Sequence, residues 1–321
     1  MDWFPAHKTL EISASTPAPN LMFTRLASWG VIEMTGDDKK SYLQGQVTCD
    51  VVSLNEDASV LGAHCDAKGK VWSLFRLFNT PRGYGMAQPL SAIEKELTEL
   101  KKYAIFSKVE IITSELPLFG VIGEEAEQWI NDHFPSQGDV RQSEQSTAIK
   151  IDGQRWMVLC DQAFASQHLM NNEDAWVTEA LWRKMDIEAG LPILEAEQQN
   201  AHIPQAFNLD QLGGISFHKG CYTGQETVAR AKYRGINKRM MATLSGELES
   251  DLDLSAIEIE RSVGDNWRKA GDVLASYYAD KEFVALVILP NNLDDDTQFR
   301  VTGQSQQLQL SLPSYLAEQD D

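Results

Sequence analysis

Cysteine is scarce in this chain of 321 residues: there are four, at positions 49, 65, 160 and 221, with no Cys-x-x-Cys pair and no metal-ligand spacing to the six histidines. That scarcity argues against a zinc ribbon or a cluster held by local ligands, so reduced thiols and no metal are expected. Long apolar runs are missing too. No stretch approaches the roughly 20 residues of a membrane span, and no membrane partner is expected. The N-terminus, Met1-Asp2-Trp3-Phe4-Pro5, has no basic segment with an apolar one behind it, which points to a cytoplasmic protein. Cations are in deficit: 28 Lys and Arg against 47 Asp and Glu give a net charge of −19. The field of the whole molecule therefore repels nucleic acid and anionic membranes.

What is present is enough chain for two or three domains. Residues 1–20, with Pro5, Pro17 and Pro19, read as an N-terminal arm. A first strand pair is expected through Leu21-Met22-Phe23 and Gly30 to Met34, followed by a short helix carrying Tyr42 and Leu43. Ala58 to Cys65 and Lys70 to Phe78 read as a hairpin turning at Asp66-Ala67-Lys68-Gly69, with both faces of its second strand largely apolar and hence covered. Leu90 to Tyr103 has helical spacing of Ile93, Leu97 and Leu100, and Phe106 to Ile112 returns as a strand. The rhythm repeats with a strand at 118–122, a helix at 124–133 and strands near 147–151 and 155–160, leaving Pro135 to Ser146 as an exposed loop. The fold class is therefore α+β, duplicated across 21–237 as subdomains of approximately 21–115 and 116–237. A further helix, capped by Asp174 and stopped by Gly190 and Pro192, places Val177, Leu181 and Met185 on its buried stripe. Trp182 lies about 100° round from Leu181, at the edge of that stripe, either as a core aromatic or as a stacking surface for a flat ligand. From 238 to 315, short strands separated by glycines and acidic turns suggest a small β-barrel, and 316–321 an acidic, disordered tail.

One stretch carries more chemistry than packing requires: His218-Lys219-Gly220-Cys221-Tyr222-Thr223-Gly224-Gln225-Glu226. Gly220 and Gly224 are the expected bends. Lys219 beside Cys221 favours a thiolate, which leaves a nucleophile, a redox centre or a metal ligand open alongside a plain buried cysteine in a tight turn. Just downstream, Arg230 to Arg239 inverts the sign of the surroundings, as a seat for an anionic partner or as a solvated basic face.

The string from Lys219 to Glu226, with Val228-Ala229-Arg230 after it, resembles the signature of the YgfZ family, folate-binding and tRNA-modifying relatives of the glycine-cleavage T-protein (aminomethyltransferase). Tyr42 to Asp50, Ala63 to Lys70 and Asp186 to Pro192 fit the same family, so the resemblance spans nearly the whole chain. It implies a T-protein-like folate-binding region followed by a β-barrel. It implies tetrahydrofolate or a derivative as cofactor, held by Trp29 and Trp182, and Cys221 as a functional thiol with Lys219 and Tyr222 as its neighbours. Its implied partners are iron–sulfur enzymes that modify tRNA, or their assembly factors, reached indirectly. The aminomethyltransferases carry an acidic pair where this chain has Ser73-Leu74. Their transfer chemistry thus lacks its principal acid here, and Glu226 is the best spare carboxylate for a one-carbon transferase. A third alternative is a folate-sensing adaptor that recruits a partner through 230–239.

Overall fold

The computed structural model describes residues 8–10, 12, 18–249 and 253–317. Most of the expected arm, and Glu318 to Asp321 of the acidic tail, lie outside the described residues. Two five-stranded sheets build the first two-thirds of the chain. In one, β2 (Trp29–Thr35), β3 (Ser59–Cys65), β4 (Val71–Asn79), β5 (Tyr84–Pro89) and β6 (Glu110–Thr113) stand in the order β3-β4-β5-β2-β6. In the other, β1 (Met22–Arg25), β7 (Leu118–Ile122), β8 (Val140–Ser143), β9 (Ser146–Lys150) and β10 (Arg155–Leu159) stand in the order β1-β7-β10-β9-β8.

Two expectations fail here for tertiary reasons. The strands at 22–25 and 29–35 both form but do not pair with each other: β1 runs antiparallel to β7, whereas β2 pairs with β5 and β6. The first strand thus belongs to the second sheet. Residues 135–146 are not all loop either, because β8 forms a hairpin with β9 and buries Arg141, whose guanidinium lies over the Trp156 ring at 4.7 Å. Polarity of sequence misleads there because a cation–π partner replaces water.

The β3-β4 hairpin forms as expected, with Ser59 opposite Phe78. Both faces of β4 are covered. On one side α1 (Lys39–Gln44) and α2 (Leu90–Lys102) close a core around Phe75, Leu77, Ile93 and Leu100. On the other, the two sheets meet through Val31, Phe78, Ala87, Ile149 and Met157. Amphipathic spacing and Lys101 and Lys102 in the last turn suit α2 to this position. α3 (Ala126–His133) covers the second sheet, with α4 (Gln162–Phe164) running into a π-turn at Ala165–Leu169 beside it.

α5 (Glu179–Glu188) departs from the expected register. Thr178, not Asp174, occupies its N-cap position, and Glu173–Ala175 is a separate 3-10 turn. Trp182, Asp186 and Ile187 are its buried residues, while Leu181 and Met185 are half-buried. The buried face is rotated because α5 is gripped from two sides, by β1 and by barrel strands. After the helix, 189–224 crosses the first sheet as an irregular connection, and α6 (Gln225–Arg234) leads into the C-terminal unit. That unit comprises β11 (Arg239–Glu247), β12 (Ile259–Val263), β13 (Asn266–Lys269), β14 (Asp272–Ala279), β15 (Glu282–Pro290), β16 (Phe299–Val301) and β17 (Gln309–Ser311), with α7 (Ser314–Ala317) last. Its sheets, β14-β15-β11-β17 and β13-β12-β16, enclose a core of Leu244, Phe283, Val287 and Phe299. Among the described residues, no helix is long and apolar enough to cross a membrane.

Candidate functional site

Three of the sequence motifs meet around the 218–226 loop. The Lys219 ammonium donates to the carbonyl oxygens of Val47 and Cys49 at 2.7 and 2.6 Å, and the Thr223 N–H donates to Gly45. Gly224 packs on the hairpin turn: a Cβ there would stand 2.6 Å from the Asp66 carbonyl oxygen and 2.9 Å from Gly69 Cα. Its φ of +84° makes it a required glycine as well as a close contact. Gly220 is different. Its φ lies outside the left-handed region and nothing stands within 4 Å of a Cβ, so the bend expected there does not need glycine.

This anchoring leaves Cys221 exposed, while Cys49, Cys65 and Cys160 are buried. Burial pushes the Cys49 thiol up to about 12 and raises Cys65 and Cys160 as well, so those three stay protonated. Lys219 does not serve the Cys221 sulfur directly. Its ammonium is committed to two backbone carbonyls and to the face of the Tyr222 ring, 5.2 Å from the centroid. Burial lowers its pKa to about 8, against the opposing pull of the Cys49 and Asp50 groups. The Tyr222 ring is buried, and that burial raises its phenol. Glu226 stands on the exposed face of α6, paired with Arg230 one turn on, and Gln225 opens the helix half-buried. His64, Cys65 and Asp66 diverge as a strand requires: His64 Nδ1 meets Glu96 Oε2 at 3.0 Å beneath α2, and Cys65 faces Gly224.

The two motif tryptophans come together elsewhere. Trp29, at the start of β2, and Trp182, on α5, border one narrow cavity between the sheets, of about 40 Å³. Leu61, Gly62, Leu74 and Arg76 supply one wall, Ile151 and Met157 another, and Leu191 to Ile193 the rim. Trp182 is 1% exposed, with Gly120 against its ring and the Arg155 guanidinium 4.9 Å from its centroid, so it is a fixed wall rather than an edge residue. Trp29 is half-buried. Cys221 and its loop do not line this cavity. The two places lie at different points along β3: Leu61 and Gly62, in mid-strand, border the cavity, whereas Cys65, at the end of the strand, contacts the cysteine loop.

Sequence reasoning overlooked the charged residues of the cavity. Asp186 lines it, 3% exposed; Arg155 Nη1 donates to Asp186 Oδ1 at 2.6 Å, and Asp186 Oδ2 has no partner. Burial raises this carboxyl, with Arg155 opposing. The available signal was spacing: Asp186 follows Trp182 by four residues and shares its helical face. Arg76 also borders the cavity, its guanidinium lowered to about 10 by burial.

Two sheets with a cavity between them, followed by a β-barrel, define a T-protein-like protein. The aminomethyltransferase T of the glycine cleavage system from Bartonella henselae superposes with a TM-score of 0.67, covering 92% of this chain and 85% of that one at 14% identity, a likeness of fold alone. Residues 237–304 match the family model "YgfZ, beta-barrel domain". The tRNA-modifying protein YgfZ of Vibrio atlanticus is 52% identical over 315 residues, 98% of each chain, and that of Escherichia coli O7:K1 is 40% identical over 317 residues, 96% of this chain and 97% of that one. The chain belongs to the YgfZ family.

Proposed function

We propose that this chain binds a folate, tetrahydrofolate or a derivative, in the cavity between its sheets and supports tRNA modification through iron–sulfur enzymes, with Cys221 as the working thiol. The observation that carries the reading is that Trp29 and Trp182, far apart in sequence, border one cavity whose remaining wall is almost wholly apolar. A pteridine is flat and polarizable and suits such walls, and an orphaned buried carboxylate, Asp186 Oδ2, offers it a polar anchor. The lining residues therefore suit the ring chemically, and the cavity, about 40 Å³ as it stands, must widen to take it. Relatives across 98% of the chain are named as tRNA-modifying, which supports the cellular role.

Cys221, exposed on an anchored loop and outside the cavity lining, is suited to a macromolecular partner rather than to the enclosed ligand. A net charge of −19 favours action through modifying enzymes or their assembly factors over direct grip on tRNA. Aminomethyl transfer is disfavoured by geometry. Of the two positions matching the acidic pair, Leu74 lines the cavity and Ser73 donates to Gln88 Oε1 at 2.7 Å instead. Glu226, exposed and paired with Arg230, does not border the cavity.

Replacing Cys221 by alanine is expected to leave the fold and folate binding intact while abolishing support of tRNA thiolation in cells. Normal thiolation in the alanine strain rules out the thiol role. Reduced folate is expected to quench tryptophan fluorescence, and an unchanged response in a Trp29→Leu, Trp182→Leu double variant removes the cavity as the folate site.

A further inference from the structure

Beside the second sheet stands a pair of histidines that neither the cavity nor the cysteine loop uses. His133 ends α3, and His168 stands on the π-turn at Ala165–Leu169, a departure from α-helical geometry of the kind that recurs at functional sites. Their ring centroids lie 4.7 Å apart with the planes at 73°, and both residues are partly exposed. Each ring is held in place. Trp129 stacks on His133 at 4.2 Å and 24°, and Phe164 lies against His168 at 4.7 Å. His133 Nδ1 is 2.7 Å from the Trp129 carbonyl oxygen, which can only accept, so Nδ1 carries the proton and Nε2 keeps its lone pair. An imidazole whose second nitrogen donates to a backbone carbonyl is the arrangement metal-ligating histidines adopt. Burial, and after it the neighbouring His133, lower the His168 pKa below the ordinary 6.5, so that ring too is neutral at pH 7 and offers a lone pair.

A metal about 2.0–2.1 Å from one nitrogen of each ring lies about 3.2 Å from each centroid, and centroids 4.7 Å apart then subtend about 95° at it. That angle is near the one between adjacent ligands of a tetragonal or octahedral ion. The net charge of −19 draws cations to the surface as a whole. We infer that His133 and His168 form a two-imidazole site for a divalent first-row transition metal, Cu²⁺ held more tightly than Zn²⁺. Among the described residues no third His, Cys, Asp or Glu completes a cluster, so the remaining positions of the ion belong to water. The bound ion pins the end of α3 to the turn that follows α4. The inference stands apart from the folate reading and neither depends on the other.

The test uses the full-length protein carrying Cys221→Ala, which removes the exposed thiol as a competing ligand. CuCl₂, ZnCl₂ and MgCl₂ are titrated at pH 7.5 against tryptophan fluorescence, and the copper form is read by electron paramagnetic resonance. One Cu²⁺ is expected to bind per chain, quenching Trp129 and showing nitrogen couplings from two imidazoles, with Zn²⁺ weaker and Mg²⁺ without effect. His133→Gln and His168→Gln are each expected to weaken Cu²⁺ at least about tenfold, and to cancel the rise in melting temperature that copper gives the parent protein. Equal uptake of copper by the parent and by both variants overturns the inference. A signal from a single imidazole in the parent, or no uptake by it, also overturns the inference, and neither result requires a variant to fold.

Discussion

At the scale of single residues, the chemistry around the cysteine loop is decided by where Lys219 spends its charge. Side by side in sequence, Lys219 and Cys221 suggest an ammonium that stabilises a thiolate. In space the ammonium reaches across to Val47 and Cys49 and works as a clasp for the loop. Its burial carries a consequence for stability. The folded pKa of about 8 lies below the ordinary 10.5, so between those values the unfolded chain holds a proton that the folded chain has released. Stability contributed by this group therefore rises with pH across that window, the burial penalty being fully present below pH 8. Lys219→Met is expected to abolish this increment. Urea unfolding at pH 7.5 and pH 10 checks it, read as the difference between wild type and variant so that the tyrosines cancel; an identical pH dependence in the two proteins contradicts the buried-charge account.

At the scale of elements, the hairpin β3-β4 and helix α2 were legible because their apolar spacing and turn residues agree with their final surroundings. The rotation of α5 was not, since a helix gripped from two sides can bury a tryptophan and an aspartate where hydropathy marks a different stripe. Nor was the absence of pairing between β1 and β2, because sequence neighbours usually pair and only the second sheet supplies β1 with its partner β7. The two glycines of the cysteine loop likewise looked equivalent and are not. Gly224→Ala is expected to destabilise by about 1–3 kcal/mol, since a strained φ and contact with Asp66 and Gly69 act together, whereas Gly220→Ala changes stability by less than about 0.5 kcal/mol. Chemical denaturation of both variants measures the contrast, and equal losses would show that the loop is not seated on the hairpin turn.

At the scale of the whole molecule, the surplus of negative charge makes the basic segment after the cysteine loop unusual. Arg230, Lys232, Arg234, Lys238 and Arg239 are all exposed, and the Lys232 ammonium lies over Phe217 at 4.2 Å. Reversing Arg230, Lys232 and Arg234 to glutamate is expected to leave the melting temperature nearly unchanged and to abolish any salt-sensitive association with an acidic partner. Partner binding that is indifferent both to salt and to these reversals excludes an electrostatic role for the segment. The sequence by itself determined the duplicated α+β region, the barrel after it and the motifs, because periodicity, turn chemistry and motif strings are local properties of the chain. The tertiary structure decided which motifs share a site. It brought Trp29 to Trp182, with Asp186, held by Arg155, in the same lining, and it left Cys221 exposed and outside that lining, since cavities and orphaned polar atoms arise only when distant segments close around the same space.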